Sequence, residues 1–242
     1  MKKRTDKPQS AIQFFGYRYP PFADTFEIAQ PYRSDTEDII VHRTTALLRQ
    51  GKSVAIHGEA GTGKSMLVKT IVSEFDAKEF RIAHIPYGGI KPAGILRDLC
   101  DELDVSTVGR KNLLSRLAVD FCRASNKPFP IIVVDEAHEM QRQSFIDLCS
   151  LLHDPRQRTA AAALVLVGQP MLKKMLELDI FAPVKTRLAC LFAMPKLSPD
   201  DAKGNKRMLM NLAALCLEEA ARRKDKVVTA EIVTAVSLEC QS

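Results

Sequence analysis

The sequence predicts an α/β protein, built as a doubly wound, parallel, five-stranded sheet with a small C-terminal helical lid. Three observations predict it. An apolar run at residues 53–57 leads into a glycine-rich turn and then a helical pattern. A second apolar run, residues 130–134, ends in two carboxylates, Asp135 and Glu136. Strand and helix patterns then alternate as far as residue 197, after which the pattern is purely helical.

The elements follow in order. Residues 1–35 are a basic arm, with Lys2, Lys3, Arg4 and Lys7 against Asp6, and then an aromatic and proline-rich lead-in whose rings are expected to lie on the following domain. Residues 36–197 form the nucleotide-binding core and 198–242 a helical lid. In the core, residues 36–50 read as a helix with Ile40, Thr44, Leu47 and Leu48 on one side and Gly51 as the stop. Residues 53–57 are a strand, and 66–75 a helix with Leu67, Ile71 and Phe75 on one face. Residues 80–85 alternate as a second strand, Gly88 and Gly89 break it, and Pro92 opens a helix to about Leu103 at the position where proline is tolerated. Residues 110–124 read as an amphipathic helix with Leu113, Leu114, Leu117 and Phe121 inward. The acidic-ended strand comes next, then a helix over 144–152, a fourth strand at 161–167 and a fifth at 189–194. In the lid, Met208, Leu212, Leu215 and Ala220 mark one helix, and Thr229 caps a second that carries Ile232, Val233 and Val236.

The glycine-rich turn has the pattern G-x-x-x-x-G-K-S, a P-loop (Walker A) cradle for a nucleoside triphosphate. Glycines at Gly58, Gly61 and Gly63 let the backbone wrap closely enough to aim successive N–H groups at phosphate oxygens, and a helix N-terminus adds its positive end. The expected nucleotide contacts are Gly58, Glu59, Ala60, Gly61, Thr62, Gly63, Lys64, Ser65 and Met66. Lys64 reaches the β- and γ-phosphates of ATP, and the Ser65 hydroxyl can ligate Mg²⁺. The acidic strand end about 70 residues downstream supplies the Walker B complement: Asp135 to hold Mg²⁺ and Glu136 to orient and deprotonate the attacking water. Asp135, Glu136, Ala137 and His138 also spell the DEAH of a helicase superfamily, but 242 residues do not hold two motor domains. His138 is therefore expected to start a helix, with no part in the chemistry.

The formal charge is +6, and a second basic cluster lies at Arg222, Arg223, Lys224 and Lys226. Such clusters suit a polyanion, because each phosphate neutralised releases counterions. Six cysteines, at 100, 122, 149, 190, 216 and 240, are far apart and read as small core residues of a reduced compartment. No stretch approaches a membrane span and the polar start lacks a signal-peptide core, so the expected location is cytoplasmic.

Taken together, the order of signals resembles an AAA+ ATPase of the bacterial group that contains the ExeA-type secretion ATPases and the transposition ATPases related to TniB, TnsC and Mu B. The matching pieces are FFGYRYPPF from Phe14, GEAGTGKS, IIVVDEAHEM, LVLVGQP ending at Pro170, VKTRLACLFAMPKLSPDD from Val184, and GNKRMLMNL from Gly204. The resemblance implies further roles. Gln169 would sense the γ-phosphate and hold the lytic water, Arg187 would be a finger inserted beside a neighbouring subunit's γ-phosphate, and Arg207 would be the lid sensor. It also implies subunits that assemble as rings or helical filaments on duplex DNA, with ATP at their junctions, and deliver a target site to a transposase. Lys91, Arg110 and Lys111 would then face DNA phosphates. The alternatives it implies are an ATPase partner of a secretion or envelope complex and a helicase-loader-type ATPase. Relatives of the secretion type usually carry a membrane segment and a further domain; neither is expected here, which favours the DNA-assembly alternative. In relatives an extra helical stretch separates the lid's LSPD-type segment from the GNxR motif, whereas here Asp201 runs almost straight into Gly204.

Overall fold

The computed structural model describes residues 10–22, 33–87, 92–106, 118, 120, 122, 128–154, 159–195 and 205–239. They fall into two compact units, Arg33–Lys196 and a second formed by Met1–Tyr32 with Leu197–Ser242.

The larger unit is a five-stranded parallel sheet. Its strands are β1 (Ser53–His57), β2 (Phe80–Pro86), β3 (Phe129–Asp135), β4 (Ala163–Gly168) and β5 (Leu188–Ala193), in the spatial order β2-β3-β4-β1-β5. Alternation along each strand sends successive side chains to opposite faces, and both faces are covered. On one face Val54, Ile56, Val133, Val165 and Val167 pack with Leu48, Leu67 and Ile71 of helices α2 (Asp35–Arg49) and α3 (Lys64–Ser73). On the other, Ala55, Ile85, Val134, Leu164 and Leu166 pack with residues of α4 (Pro92–Glu102), α5 (Arg142–Leu151) and α6 (Pro170–Glu177). Every residue of β4 is buried, as a central parallel strand requires.

Local chemistry sets the helix ends. Ser34 and Glu37 form a capping box at the start of α2, with the Ser34 N–H donating to Glu37 Oε2 at 2.9 Å and the Glu37 N–H to Ser34 Oγ at 3.4 Å. Helix α3 begins at Lys64, two residues earlier than its apolar face predicts, because Gly63 at φ 94° turns the chain directly into helical geometry. The helix α6 is an element that the sequence reading leaves unassigned. It starts on Pro170 immediately after β4 and its eight residues bury only Leu172 and Leu176. Of the helix expected over 110–124, residues 118, 120 and 122 are described and are helical.

In the smaller unit, helices α7 (Lys206–Arg223) and α8 (Ala230–Glu239) pack through Cys216, Ala220, Ile232 and Val236. The lead-in contributes α1 (Ala11–Phe15), capped by Ser10 and ended by Gly16 at φ 69°. Phe15 packs on this helical cluster, and the Ala11 N–H donates to Glu218 Oε2 at 3.3 Å. The ordered lead-in thus joins the C-terminal helices, where the sequence suggested it would lie on the domain that follows it. Of the second basic cluster, Arg222 and Arg223 both bond Glu219, at 2.6 Å, and the two guanidiniums hold that carboxyl down at about 2. Two of the four cations offered to a polyanion are therefore engaged within their own helix.

Candidate nucleotide site

The cradle lies where β1 ends and α3 begins. Positive φ at Gly61 (77°) and Gly63 (94°) closes the loop on itself, a geometry that costs a side-chain-bearing residue strain. Gly58 is needed for a different reason. A Cβ there would stand 2.7 Å from Met194 Cβ and 3.2 Å from Thr62 Oγ1, so the loop and the end of β5 fit only around a bare backbone. Thr62 fastens the turn by donating its hydroxyl to the Glu59 carbonyl at 2.9 Å. No side chain caps α3, which leaves its first N–H groups directed at the concave side of the loop, as anion binding at a helix start requires. The Lys64 side chain is buried beside the loop, its ammonium donating to the carbonyls of Gly58 (2.9 Å) and Glu59 (2.8 Å).

The neighbouring strand ends bring the acidic pair to this point. Ser65 Oγ donates to Asp135 Oδ2 at 3.0 Å, joining the start of α3 to the end of β3. A hydroxyl and a carboxylate this close are two hard oxygen donors, and they fit Mg²⁺, which takes one or two protein oxygens and completes its shell with phosphate and water. Among the described residues, no cluster of three or more His, Cys, Asp or Glu forms a cage made of protein alone, so the ion would rely on the nucleotide for the remainder. Glu136 follows in the left-handed region, φ 53° and ψ 34°, with its N–H bonded to Asp135 Oδ1 at 2.9 Å. That kink turns the Glu136 side chain away from the strand axis. Its Oε2 is buried and accepts no hydrogen bond from the described residues, with His138 Nδ1 3.3 Å away. Gln169 caps α6 at the end of β4, the strand between β1 and β3, and the Gly58 N–H bonds the Gly168 carbonyl at 3.1 Å.

The structure thus brings Gly58, Glu59, Ala60, Gly61, Thr62, Gly63, Lys64, Ser65, Met66, Asp135, Glu136 and Gln169 to one end of the sheet. It places Arg187 at the other. In the β1–β5 register Ser53 faces Leu188 and His57 faces Ala193, so Arg187 precedes the paired stretch and Gly58 follows it. At about 3.3 Å per residue the two are roughly 20 Å apart, beyond the reach of one side chain. Arg187 is exposed, donates to the Pro183 carbonyl at 3.3 Å, and lines an open groove of about 460 Å³ with Gly51, Lys52, Ser53 and Thr186. Arg207 is exposed in the first turn of α7, where a cation opposes the helix dipole. Lys91, Arg110 and Lys111 lie outside the described residues.

Sequence reasoning missed His138. The chain makes a 3₁₀ turn, Ala137–Glu139, in place of the expected start of a longer helix, and this points the His138 ring back at Glu136 and at the start of α6. The signal that controls this, the left-handed backbone at Glu136, is invisible in residue spacing. His57, at the end of β1, was also unmarked; burial, then the Lys173 ammonium, lower its pKa.

A parallel sheet with a P-loop after β1, a metal-and-base pair after β3 and a polar residue after β4 defines a P-loop ATPase. The chain belongs to the AAA domain family, whose model matches residues 47–176. It is 25% identical over 209 residues to General secretion pathway protein A of Aeromonas hydrophila. That match takes in 83% of this chain and 38% of the relative, so the chain spans well under half the relative's length. Among solved structures it resembles the Aeropyrum pernix ORC1 protein in complex with DNA, with a TM-score of 0.65 and 14% identity over 96% of this chain and 69% of that one. It also resembles the Aeropyrum pernix ORC2 protein solved as ADPNP-ADP complexes, with a TM-score of 0.71 and 12% identity over 91% and 71%. At such identities these two likenesses concern the fold. Among the described residues no helix is long and apolar enough to cross a membrane.

Proposed function

We propose that this AAA+ ATPase is a cytosolic assembly factor whose subunits polymerise on duplex DNA with ATP at their junctions, and that the assembly directs a transposase to its target. The separation of Arg187 from its own cradle carries the assembly reading. An arginine about 20 Å from the phosphates of its own subunit can act as a finger only on those of a neighbour. Within each junction, the amides of residues 58–66 and Lys64 bind the β- and γ-phosphates. Glu136 takes a proton from the attacking water, whose oxygen bonds the γ-phosphorus as the bond to the ADP oxygen breaks. Gln169 orients that water, and Arg207 approaches the nucleotide from the lid. Mg²⁺ held by Ser65 and Asp135 would neutralise charge on the phosphate oxygens.

Contact with DNA is supported by the charge of +6 and by the fold shared with a protein solved on DNA. Lys91, Arg110 and Lys111 are the candidate phosphate ligands. Binding through phosphates falls steeply with salt and little with sequence, and Lys91→Ala should reduce the salt slope by about one unit. A second reading, an ATPase partner of a secretion complex, is supported by the similarity to General secretion pathway protein A over 83% of this chain. Fluorescence anisotropy with unrelated duplexes, low salt and a non-hydrolysable ATP analogue separates the two. Micromolar or tighter binding, with rings or filaments in electron micrographs, is expected. No binding under those conditions would end the DNA reading in favour of the secretion one.

A further inference from the structure

His138 stands between the two groups that must act together on the lytic water. Its Nδ1 lies 3.3 Å from Glu136 Oε2 and also 3.3 Å from the Gln169 backbone nitrogen, whose N–H points at it. The ring is nearly enclosed, with 12% of the side chain exposed, and a Cβ on Gly168 would come within 3.2 Å of both its Nδ1 and its backbone nitrogen. Strand β4 and the 3₁₀ turn are therefore pressed together with this imidazole as the spacer.

One ring nitrogen cannot satisfy both neighbours. In a neutral imidazole one nitrogen carries the hydrogen and the other accepts. With the hydrogen on Nε2, Nδ1 accepts from the Gln169 N–H and offers Glu136 nothing. Oε2 is then a buried carboxylate oxygen without a donor, which is costly unless another hydrogen, such as that of a water, approaches it. With the hydrogen on Nδ1, the ring donates to Oε2 and the Gln169 N–H loses its acceptor. The left-handed backbone at Glu136 sustains this competition, because it directs the carboxylate sideways onto the ring.

We infer that His138 is a positioning residue of the ATPase site, whose Nδ1 ties the orientation of Glu136 to the position of Gln169. The inference rests on the reading of Glu136 as the base. In the arrangement with Nδ1 bonded to Gln169, Oε2 is unheld and the half-exposed Glu136 carboxylate is free to turn toward the water; in the other, Oε2 is held and the Gln169 turn is loosened. A shift of Gln169 toward or away from a γ-phosphate is thus relayed to Glu136 through one nitrogen.

The test replaces the ring by amides of different reach. The amide of His138→Asn stands near the position of Nδ1 and can donate or accept there, whereas that of His138→Gln extends to the position of Nε2. His138→Ala and His138→Gln should lose about ten- to a hundredfold in kcat, as small misplacements of a reacting group do, with KM and the affinity for a fluorescent ATP analogue unchanged. His138→Asn should recover to within about threefold of wild type. Thermal unfolding of all three identifies any that fail to fold, and the near-isosteric Asn and Gln pair decides if Ala does. Equal rates for Asn and Gln, or an alanine variant within twofold of wild type, would overturn the inference. Glu136→Gln is assayed alongside. Turnover at the wild-type rate in that variant removes the base itself, whereas a dead Glu136→Gln with indistinguishable Asn and Gln variants at position 138 removes only the role of His138.

Discussion

The two ends of the central sheet are built from the same strands and differ in what completes them. At the carboxyl end, β1, β3 and β4 deliver Gly58, Asp135 and Gln169 to one place, and Ser65 and Asp135 already bond each other at 3.0 Å. At the amino end, Arg187 stands exposed over a groove, its guanidinium donating to the Pro183 backbone carbonyl at 3.3 Å. A site assembled from its own chain can be recognised from local pattern. Arg187 is not part of that pattern, and its proposed role as a finger rests on its distance from the cradle.

The sharpest way to break this contrast is at Arg187. If it is a finger acting across a junction, Arg187→Ala should lose about 10³ to 10⁵ in turnover while nucleotide affinity persists. Mixing Arg187→Ala with Lys64→Ala subunits should restore part of the activity, since an intact finger then meets an intact cradle at some junctions. Mixtures as inactive as either variant alone, with assembly shown to be intact, would place the role of Arg187 elsewhere.

The carboxyl end is tested within one subunit. Glu136→Gln should bind ATP normally and lose about 10² to 10⁴ in the rate of phosphate release, the usual contribution of a positioned base. Lys64→Ala should instead lose ATP affinity by two orders of magnitude or more, in keeping with the roughly 2–5 kcal/mol that truncating one member of a buried charged pair costs. Nucleotide titration and phosphate release separate the two. A Glu136→Gln protein with wild-type turnover would contradict the assignment of the base.

Two glycines carry the comparison further. A Cβ on Gly58 would meet Met194 Cβ at 2.7 Å, and one on Gly51 would meet Ala160 Cβ at 2.7 Å with an added φ of 71°. Both alanine variants should cost about 1–3 kcal/mol of stability, since neither neighbour is the loose end of a side chain. Only Gly58→Ala should weaken ATP binding, because only that clash displaces the cradle. Equal loss of affinity in the two variants would mean that the ends of the sheet are coupled.

What was legible in the sequence follows the same division. All five strands were readable: β1, β3 and β4 as apolar runs buried on both faces, and the edge strands β2 and β5 as apolar stretches set off by neighbouring turn and loop residues. The cradle was readable because its glycines are demanded by backbone geometry at fixed spacing. Helix α6 was not, since eight residues opened by a proline directly after a strand give too short a window for periodicity to register. The position of His138 was not either, because it depends on one left-handed residue that carries a side chain, and no residue type at 136 announces that. The packing of Phe15 on the C-terminal helices joins segments about 200 residues apart, a distance over which local pattern is silent.

The smallest expected effect is that of pH, and it should fall on the carboxyl end. There His57 titrates with a pKa below its usual 6.5, because burial, then the neighbouring Lys173 ammonium, disfavour the imidazolium, while Glu177 opposes them weakly. At the amino end burial pushes the Cys149 thiol up to about 11, against the pull of Arg187, so it stays neutral across the same range. For His57 the unfolded chain binds the proton more readily than the folded one. The stability this group supplies is complete above pH 6.5 and is lost as pH falls from 6.5 through the lowered folded value. Thermal unfolding at pH 7.5 and 5.5 should therefore show a larger drop for the wild type than for His57→Gln. Lys173→Ala should lie between the two, since it removes one of the two causes and leaves burial in place. A His57→Gln protein with the same pH dependence as wild type would show that the imidazole is no better solvated unfolded than folded, and that the carboxyl end owes its neutral-pH stability to the cradle contacts alone.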